Sequence, residues 1–423
     1  MKEEIKETRL RNGLTILTDR MPGVRSATLG FFFRVGSRHE PDELNGISHF
    51  IEHTVFKGTA NRTALDIAIE QDRLGGNLDA FTSHEETGFA IKVIDDQLPR
   101  AFDLIADMLT NPLFDQADLQ SEQNVIIEEM KMIEDSPEEY LGDIFSAALF
   151  PADPLGMSIA GTPKTVRSFN NELTAHYHRN VFQPRNLIIA AAGNVDHGSV
   201  LALAENSFGF QGSELNGHRD LPPPKLAAPF IIKNKRGLEQ AHLTIATPFV
   251  SAVDERRYAG DLLANIIGGG TSSRLWQKVR EQRGLVYNVG SSALSYQDCG
   301  VFSVYAACSP ANVREVTTLA IAELRDVVAN GVRLDELDLA RQQSIASILL
   351  SLEDSASRAS VLAQSEIVHG RQISVDETLA KINAVTLEDL AALAREFFTE
   401  ANIAFAALGD LKNLKLGRED LVI

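Results

Sequence analysis

The sequence predicts an α+β protein built from two homologous αβ domains, each with a mostly antiparallel sheet packed against helices. Three observations support this prediction. The chain has 423 residues, which is too long for one hydrophobic core and matches two domains of about 200 residues each. A polar stretch that ends in consecutive prolines lies near the middle of the chain. The same order of strand, bend and helix signals follows on both sides of it, which indicates an internal repeat.

The first half of the chain begins with β-rich runs. Residues 26–36 predict a strand, because small, β-branched and aromatic residues fill this run. The chain then bends, and a helix is predicted to begin after Asn45 and Gly46. Residues 121–130 predict a second helix, because they combine helix-forming residues with three glutamates.

Residues 49–53, which have the sequence His-Phe-Ile-Glu-His, form the most informative motif of the chain. On a helix His49 and His53 lie on one face, and Glu52 reaches the same face. Two imidazoles at this spacing can hold one zinc ion, while the carboxylate acts as general base on its water. The order is inverted relative to the commoner His-Glu-x-x-His motif and is known as the inverzincin pattern. The motif therefore indicates a zinc metallopeptidase.

A hydrolytic zinc site needs a third protein ligand and one position open to water. The predicted helix at residues 121–130 offers Glu129. Glu122 lies seven residues earlier, and two helical turns bring both carboxylates to the same face within about 20°. Glu128 points about 100° away from them. We therefore expect Glu129 to be the third ligand and Glu122 to support the ligands from behind.

Turn chemistry predicts the domain boundary. Residues 211–224 are polar, contain glycines and end in three prolines, which disfavour both a helix and pairing within a sheet. We predict an N-terminal zinc-binding catalytic domain at residues 1–212, a linker at 213–225 and a C-terminal domain at 226–423.

The second half repeats the order of elements seen in the first. Residues 241–248 alternate as a strand, and a helix is predicted to follow residues 254–258. Residues 258–261 stand where metal ligands would have to be, so this copy is expected to keep the fold without the metal. Apolar stripes then predict packed helices beginning near Ser309 and Leu334.

These motifs resemble those of the pitrilysin or insulinase-like zinc peptidases, and within them the short-chain branch that includes the mitochondrial processing peptidase. The resemblance covers nearly the whole chain and implies a processing-peptidase-like fold. Glu129 stands at the place of the family's downstream glutamate ligand. The resemblance therefore implies one zinc ion per chain held by His49, His53 and Glu129, with Glu52 as the base and Glu122 as a supporting glutamate.

Two further stretches of the first half carry the resemblance. Residues 79–87 resemble the family's edge strand, which pairs with an extended peptide, and they imply substrate contacts by Asp79, Ala80 and Phe81. Asp79 stands where the family usually has Asn. Residues 184–196 resemble the strand that closes the family's first domain.

Residues 268–287 resemble the family's second-half signature. There an Arg and a Tyr seven residues apart hold the substrate near the scissile bond, and Arg280 and Tyr287 have that spacing. Family members with four αβ units place the zinc unit and the Arg/Tyr unit in opposite halves, whereas this chain has two units. The resemblance implies a homodimer in which Arg280 and Tyr287 of one chain complete the zinc site of its partner, or else a related second subunit.

Charge and composition limit the possible partners. The net charge of −18 at pH 7 argues against nucleic acid and anionic membranes as partners. The chain starts without an apolar signal-like core, and no later stretch approaches the roughly 18 apolar residues of a membrane span, so we expect a cytoplasmic protein. Cys299 and Cys308 are expected to remain thiols.

Three classes of function can be compared with these motifs. A zinc endopeptidase acting on unfolded peptides or presequence-like segments uses the metal, base, edge strand and Arg/Tyr pair in one mechanism. The alternative is a non-catalytic or assembly subunit of a processing-peptidase-like heterodimer, which would be expected to lose zinc ligands. The small thioether lyases that share the inverted motif differ in length and lack the repeat. The sequence therefore favours the zinc endopeptidase.

Overall fold

The computed structural model describes residues 3–209 and 221–423. In the first half the strands are β1 (Ile5–Arg9), β2 (Thr15–Arg20), β3 (Ser26–Phe33), β4 (Leu78–Thr82), β5 (Thr87–Ile94) and β6 (Leu187–Gly193). The helices there are α1 (Ile47–Thr54), α2 (Ala64–Leu74), α3 (Leu98–Thr110), α4 (Gln116–Asp135), α5 (Pro137–Leu149), α6 (Pro163–Val166), α7 (Asn171–Val181) and α8 (His197–Phe208).

The second half has a similar mixture of elements. Its strands are β7 (Phe230–Asn234), β8 (Ala241–Phe249), β9 (Val286–Ser295), β10 (Gly300–Cys308) and β11 (Ala404–Gly409). Its helices are α9 (Arg257–Gly268), α10 (Val313–Asn330), α11 (Leu334–Ser351), α12 (Ser355–His369), α13 (Val375–Ala384) and α14 (Leu387–Phe397). A π-helix, Trp276–Glu281, precedes β9.

Two sheets confirm the predicted α+β repeat. One sheet has the order β1-β2-β6-β3-β5-β4, and the other has the order β7-β11-β8-β10-β9. β2 and β6 are parallel, as are β7 and β11, and every other neighbouring pair is antiparallel. Apart from β1, the second sheet repeats the order of the first strand for strand, with β4 and β9 at corresponding edges.

The chain forms two compact units. Unit 1 contains Met1–Met132, Met157–Leu221 and Leu349–Ile373, and unit 2 contains Ile133–Gly156, Pro222–Ile348 and Ser374–Ile423. Helix α12 therefore belongs to unit 1 and helix α5 to unit 2, whereas the predicted division at residues 1–212 and 226–423 follows chain order. Residues 213–220 of the predicted linker lie outside the described residues, and residues 221–229 form neither helix nor strand.

Helix α12 covers one face of the unit 1 sheet. Leu362 and Ala363 pack against Leu17, Phe32 and Ile188 of the strands. Buried polar contacts accompany these apolar ones, because an isolated buried charge is costly while a paired one is tolerated. Arg358 pairs with Asp19 at 2.6 Å, Glu366 accepts from Arg34 at 2.5 Å and from Arg9 at 2.9 Å, and Thr28 bonds Ser355 at 2.8 Å.

Helix α5 has the same relation to the unit 2 sheet. Leu141, Phe145 and Leu149 pack against Ala406 and Leu408 of β11. The opposite face of each sheet carries the larger core, which includes α1 and α3 in unit 1 and α9, α10 and α14 in unit 2. Each sheet is thus covered on both faces.

One predicted boundary agrees with the structure and another differs. Helix α1 begins directly after Gly46, as expected, while the strand predicted at residues 26–36 ends at Phe33. Cys299 and Cys308 are both buried, form no disulfide and belong to different core clusters of unit 2. Burial raises the pKa of Cys308 to about 12. Within the described residues, no helix combines the length and apolar character needed to cross a membrane.

Candidate metal centre

Helix α1 begins at a tightly packed turn. Gly46 has φ of +96°, in the left-handed region that favours glycine, and a Cβ there would lie 2.7 Å from the carbonyl oxygen of Ala160. The buried carboxyl group of Glu40 accepts hydrogen bonds from the N–H groups of Gly46 and Ser48, both at 2.7 Å. These bonds satisfy free donors at the helix N-terminus. They fix where the helix begins and so where its histidines lie.

Three side chains of α1 and α4 converge. His49 Nε2 lies 3.8 Å from Glu129 Oε2, and His53 Nε2 lies 3.7 Å from the same oxygen. The potential ligand atoms of the three residues all lie within 4.8 Å of one another. Among the described residues this is the one such group of three. The structure therefore brings together the three residues predicted as zinc ligands.

This donor set fits zinc. Imidazole nitrogen and carboxylate oxygen bind zinc at about 2.0–2.2 Å, so atoms separated by 3.7 and 3.8 Å can share one ion. Glu129 Oε2 is a buried atom without a hydrogen-bond partner in the described parts of the chain, and a cation would satisfy it. Burial, together with neighbouring His53, lowers the pKa of His49 to about 4. The neutral imidazole that a metal requires is thus favoured.

Glu122 lies behind His53. Its Oε2 is 3.3 Å from His53 Nδ1, and its Oε1 is 2.5 Å from Lys57 Nζ. Burial alone would raise the pKa of Glu122, but hydrogen bonds from His53 and Lys57 hold that pKa below its usual value. A proton on His53 Nδ1 that is donated to Glu122 leaves Nε2 as the atom facing Glu129. Glu122 is therefore placed to hold the imidazole of His53 in one orientation, and its role as a supporting glutamate stays a prediction.

Glu52 is buried on the same helix and is held from one side. Thr82 Oγ1 donates a hydrogen bond to Glu52 Oε2 at 2.7 Å. Burial raises the pKa of Glu52, and the bond from Thr82 and the charge of His53 oppose this rise. A raised pKa is suited to a carboxylate that takes and returns a proton.

Thr82 is the last residue of β4, which forms one edge of the unit 1 sheet. Leu78 and Ala80 turn toward the larger core. Phe81 lies on the opposite face, with its ring centroid 6.4 Å from that of Phe32, and Asp79 is exposed. The main chain of the three predicted substrate contacts lies at the open edge of the sheet beside Glu52, where an added strand could pair with it.

The edge strand is shorter than predicted. Residues 79–87 were expected to form one strand, but β4 ends at Thr82 and β5 begins at Thr87. Ser83 and Glu86 close a turn between them, because the N–H of Ser83 donates to the carbonyl of Glu86 at 2.8 Å. The Ser83 hydroxyl also accepts from the N–H of Glu86 at 3.1 Å. Such side-chain bonds to nearby backbone stabilise a turn against a continuous strand.

Arg280 and Tyr287 lie together in unit 2. Arg280 belongs to the π-helix and Tyr287 to β9, the edge strand that corresponds to β4. The guanidinium carbon lies 5.6 Å from the Tyr287 ring centroid. Tyr287 is 78% exposed, which is unusual for so large an aromatic side chain. Its exposure leaves the ring and hydroxyl accessible to a ligand.

Three residues of this centre were not predicted from the sequence: Glu40, Lys57 and Thr82. Lys57 lies four residues after His53. If the helix is assumed to continue to Lys57, this spacing predicts that both side chains lie on one face. Thr82 alternates with the apolar Leu78 and Ala80, which places it on the face of the strand toward α1. Glu40 has no local signal, because its bonds depend on how the chain bends before α1.

Comparison with known proteins shows similarity along most of the chain. Residues 15–163 match the insulinase domain of peptidase family M16, and residues 168–344 match the peptidase M16 inactive domain. An uncharacterized zinc protease of Streptomyces coelicolor is 38% identical over 420 residues, covering 98% of this chain and 91% of that protein.

Two solved structures have the same fold. A protease from Helicobacter pylori matches with a TM-score of 0.88 and 22% identity, covering 96% of this chain and 100% of that one. A chain of complex III from Candida albicans matches with a TM-score of 0.85 and 20% identity, covering 99% and 100% respectively. At these identities the structures show a shared fold and no more.

Proposed function

Because the chain belongs to the insulinase family of peptidases, M16, we propose that it is a zinc-dependent endopeptidase that hydrolyses unfolded peptides. One observation carries this proposal. The buried carboxyl group of Glu52 lies beside the His49, His53 and Glu129 group and is bonded to Thr82 at the end of an edge strand. A metal-binding group, a proton acceptor and a place for a peptide main chain therefore meet at one point.

Each side chain has a distinct role in the proposed mechanism. His49, His53 and Glu129 would hold the metal, and Glu122 orients His53. Zinc, when bound, supplies a Lewis acid that polarises a carbonyl group and lowers the pKa of water. Glu52 takes the proton from the attacking water and later donates it to the leaving amine.

The proposed substrate is an extended chain. An edge strand offers unpaired N–H and C=O groups, so a peptide can add to β4 as a further strand. Main-chain pairing tolerates many side chains, which favours broad specificity. It also requires that the substrate be unfolded, so peptides and presequence-like segments should be cleaved while compact proteins are spared.

We also propose that the active form is a homodimer completed in trans. The three proposed zinc ligands lie in unit 1, and Arg280 and Tyr287 lie in unit 2. By resemblance to longer family members, Arg280 and Tyr287 of one protomer would contact the peptide held at the zinc group of its partner. There they would stabilise the substrate backbone and the negative charge that develops on its carbonyl oxygen. A related second subunit could take the partner's place.

Substitution of the general base tests the catalytic proposal. Glu52→Gln keeps a similar shape but accepts no proton, so zinc content should match the wild type while turnover on an unstructured peptide falls about a thousandfold. Glu128→Gln on the exposed face of α4 is the matched control and should leave both unchanged. A non-catalytic assembly subunit, the alternative function, would show no zinc-dependent cleavage in the wild type.

A further inference from the structure

Trp276 is the only tryptophan of the sequence and lies beside Arg280. We propose that Trp276 is a positioning residue that fixes the guanidinium group of Arg280 for the substrate. This inference rests on the proposed function, because it concerns the same Arg280 and Tyr287, and it adds a residue that determines how tightly peptide is bound.

The contacts form one connected cluster. The guanidinium carbon of Arg280 lies 4.1 Å from the Trp276 ring centroid, closer than the 5.6 Å to Tyr287. Glu281 Oε1 accepts a hydrogen bond from Trp276 Nε1 at 3.1 Å and one from Arg280 Nη1 at 3.3 Å. A guanidinium group stacks favourably on an aromatic face, with indole the strongest partner. Trp276 and Glu281 therefore hold Arg280 from its face and from one edge.

The π-helix explains why these side chains meet. Its i→i+5 bonding widens the turn, as in the 3.0 Å bond from the Gln282 N–H to the Gln277 carbonyl. In this wider turn the residues four and five positions after Trp276 both lie close to it. Those residues are Arg280 and Glu281. An ordinary α-helix would direct Glu281 farther around the axis.

Arg280 keeps donors for a ligand. Its side chain is 32% exposed. Glu281 is its one side-chain hydrogen-bond partner among the residues that the structure describes, and it occupies Nη1 alone. A free arginine side chain loses considerable rotamer freedom when it binds, and a side chain already held in place loses less. The remaining N–H groups can thus donate to peptide carbonyl or carboxylate oxygens at lower entropic cost.

Peptide binding measured without turnover tests the inference. On a Glu52→Gln background, the dissociation constant of a fluorescently labelled unstructured peptide would be measured by anisotropy. Trp276→Leu removes the ring face and should raise this constant about five- to tenfold. Trp276→Phe keeps a ring face but loses the N–H donor to Glu281. Its dissociation constant should therefore lie between that of the Glu52→Gln chain with Trp276 intact and that of the Trp276→Leu variant.

A double variant separates positioning from general packing. If Trp276 acts through Arg280, the losses from Trp276→Leu and Arg280→Lys should not multiply when combined. In the active chain Trp276→Leu should lower kcat/KM by at least the factor by which it raises the dissociation constant, because substrate binding by Arg280 weakens and its stabilisation of the developing charge weakens with it.

The chain supplies a matched control. Arg257 lies 4.3 Å from the Tyr258 ring centroid, which is the same type of contact in the same unit. Tyr258→Leu should leave the dissociation constant unchanged. A Trp276→Leu chain that binds peptide as tightly as the Glu52→Gln chain with Trp276 intact, or losses that multiply with Arg280→Lys, would overturn the inference. The proposed function fails separately, if the wild type shows no zinc-dependent cleavage. The two failures can be distinguished because the binding measurement needs no turnover.

Discussion

Thr82 Oγ1 donates a 2.7 Å hydrogen bond to Glu52 Oε2, which ties the end of the edge strand to the carboxyl group of the inverted motif. One oxygen of Glu52 is thereby held by Thr82, and in the proposed mechanism the other accepts the proton of the attacking water. In the proposed mechanism the bond would link substrate position to catalysis, because a peptide paired with β4 would lie beside the same carboxyl group.

Removal of the Thr82 hydroxyl tests this link. Thr82→Val keeps the β-branched shape but removes a hydrogen bond to a charged group, worth about 1.5–3 kcal/mol. We expect kcat to fall roughly 10- to 100-fold, with zinc content unchanged. Thr82→Ser retains the donor and should recover most of the activity. Wild-type kcat in Thr82→Val would show that the bond does not position the base.

The two adjacent glutamates of α4 should differ in their effect on metal. Glu129 faces both histidines, whereas the side chain of Glu128 is 69% exposed and pairs with Lys131. Glu129→Ala should abolish stoichiometric zinc binding, and Glu128→Ala should not. Elemental analysis of the purified variants measures this. Equal loss of zinc from both would contradict the helical-face assignment.

Glu122 should tune zinc affinity without being a ligand. Its bond to His53 orients the imidazole, so Glu122→Ala is expected to weaken zinc binding by about 10- to 100-fold. Lys57→Met leaves the bond to His53 in place and should weaken binding less. Competition with a metal chelator gives both affinities. Unchanged affinity in Glu122→Ala would reduce this residue to a packing role.

Mixed dimers test the proposal that sites are completed in trans. A dimer of one His49→Ala chain and one Arg280→Ala chain contains one intact site and one doubly altered site. With random exchange half the dimers are mixed, so roughly a quarter of wild-type activity should return from two nearly inactive parents. Subunit exchange would be verified separately with differently tagged chains. No recovery after verified exchange would mean that Arg280 acts within its own chain or with a different subunit.

Local geometry explains why the convergence of the candidate metal ligands was predictable. His49, His53, Glu122 and Glu129 are related by spacings of four and seven residues on two helices, and helical periodicity alone assigns their faces. Which helices face each other came from resemblance to a family. The contact of Thr82 with Glu52 depends on sheet order and register, which residue spacing does not specify.

Helix α5 of the first half of the chain belongs to unit 2, and helix α12 of the second half belongs to unit 1. Helical periodicity could not predict this exchange of helices between the units. Periodicity identifies an apolar stripe on a helix but not the sheet that the stripe covers. The buried charges of α12 have partners far away in sequence, since Arg358 and Asp19 are 339 residues apart. The turn at Ser83 and Glu86 was missed for a local reason: a short polar run is compatible with both a strand end and a turn.

The exchange of α12 into unit 1 also delays the completion of unit 1 during synthesis. The face of the first sheet that contains Leu17, Phe32 and Ile188 is covered by α12, and the bond from Thr28 to Ser355 spans 327 residues. At translation rates of about 5–20 residues per second, that face would wait on the order of ten seconds for its helix to emerge. The nascent chain therefore carries an apolar surface that the finished protein hides. A polypeptide that ends at residue 209 lacks α12 and would expose this apolar surface permanently.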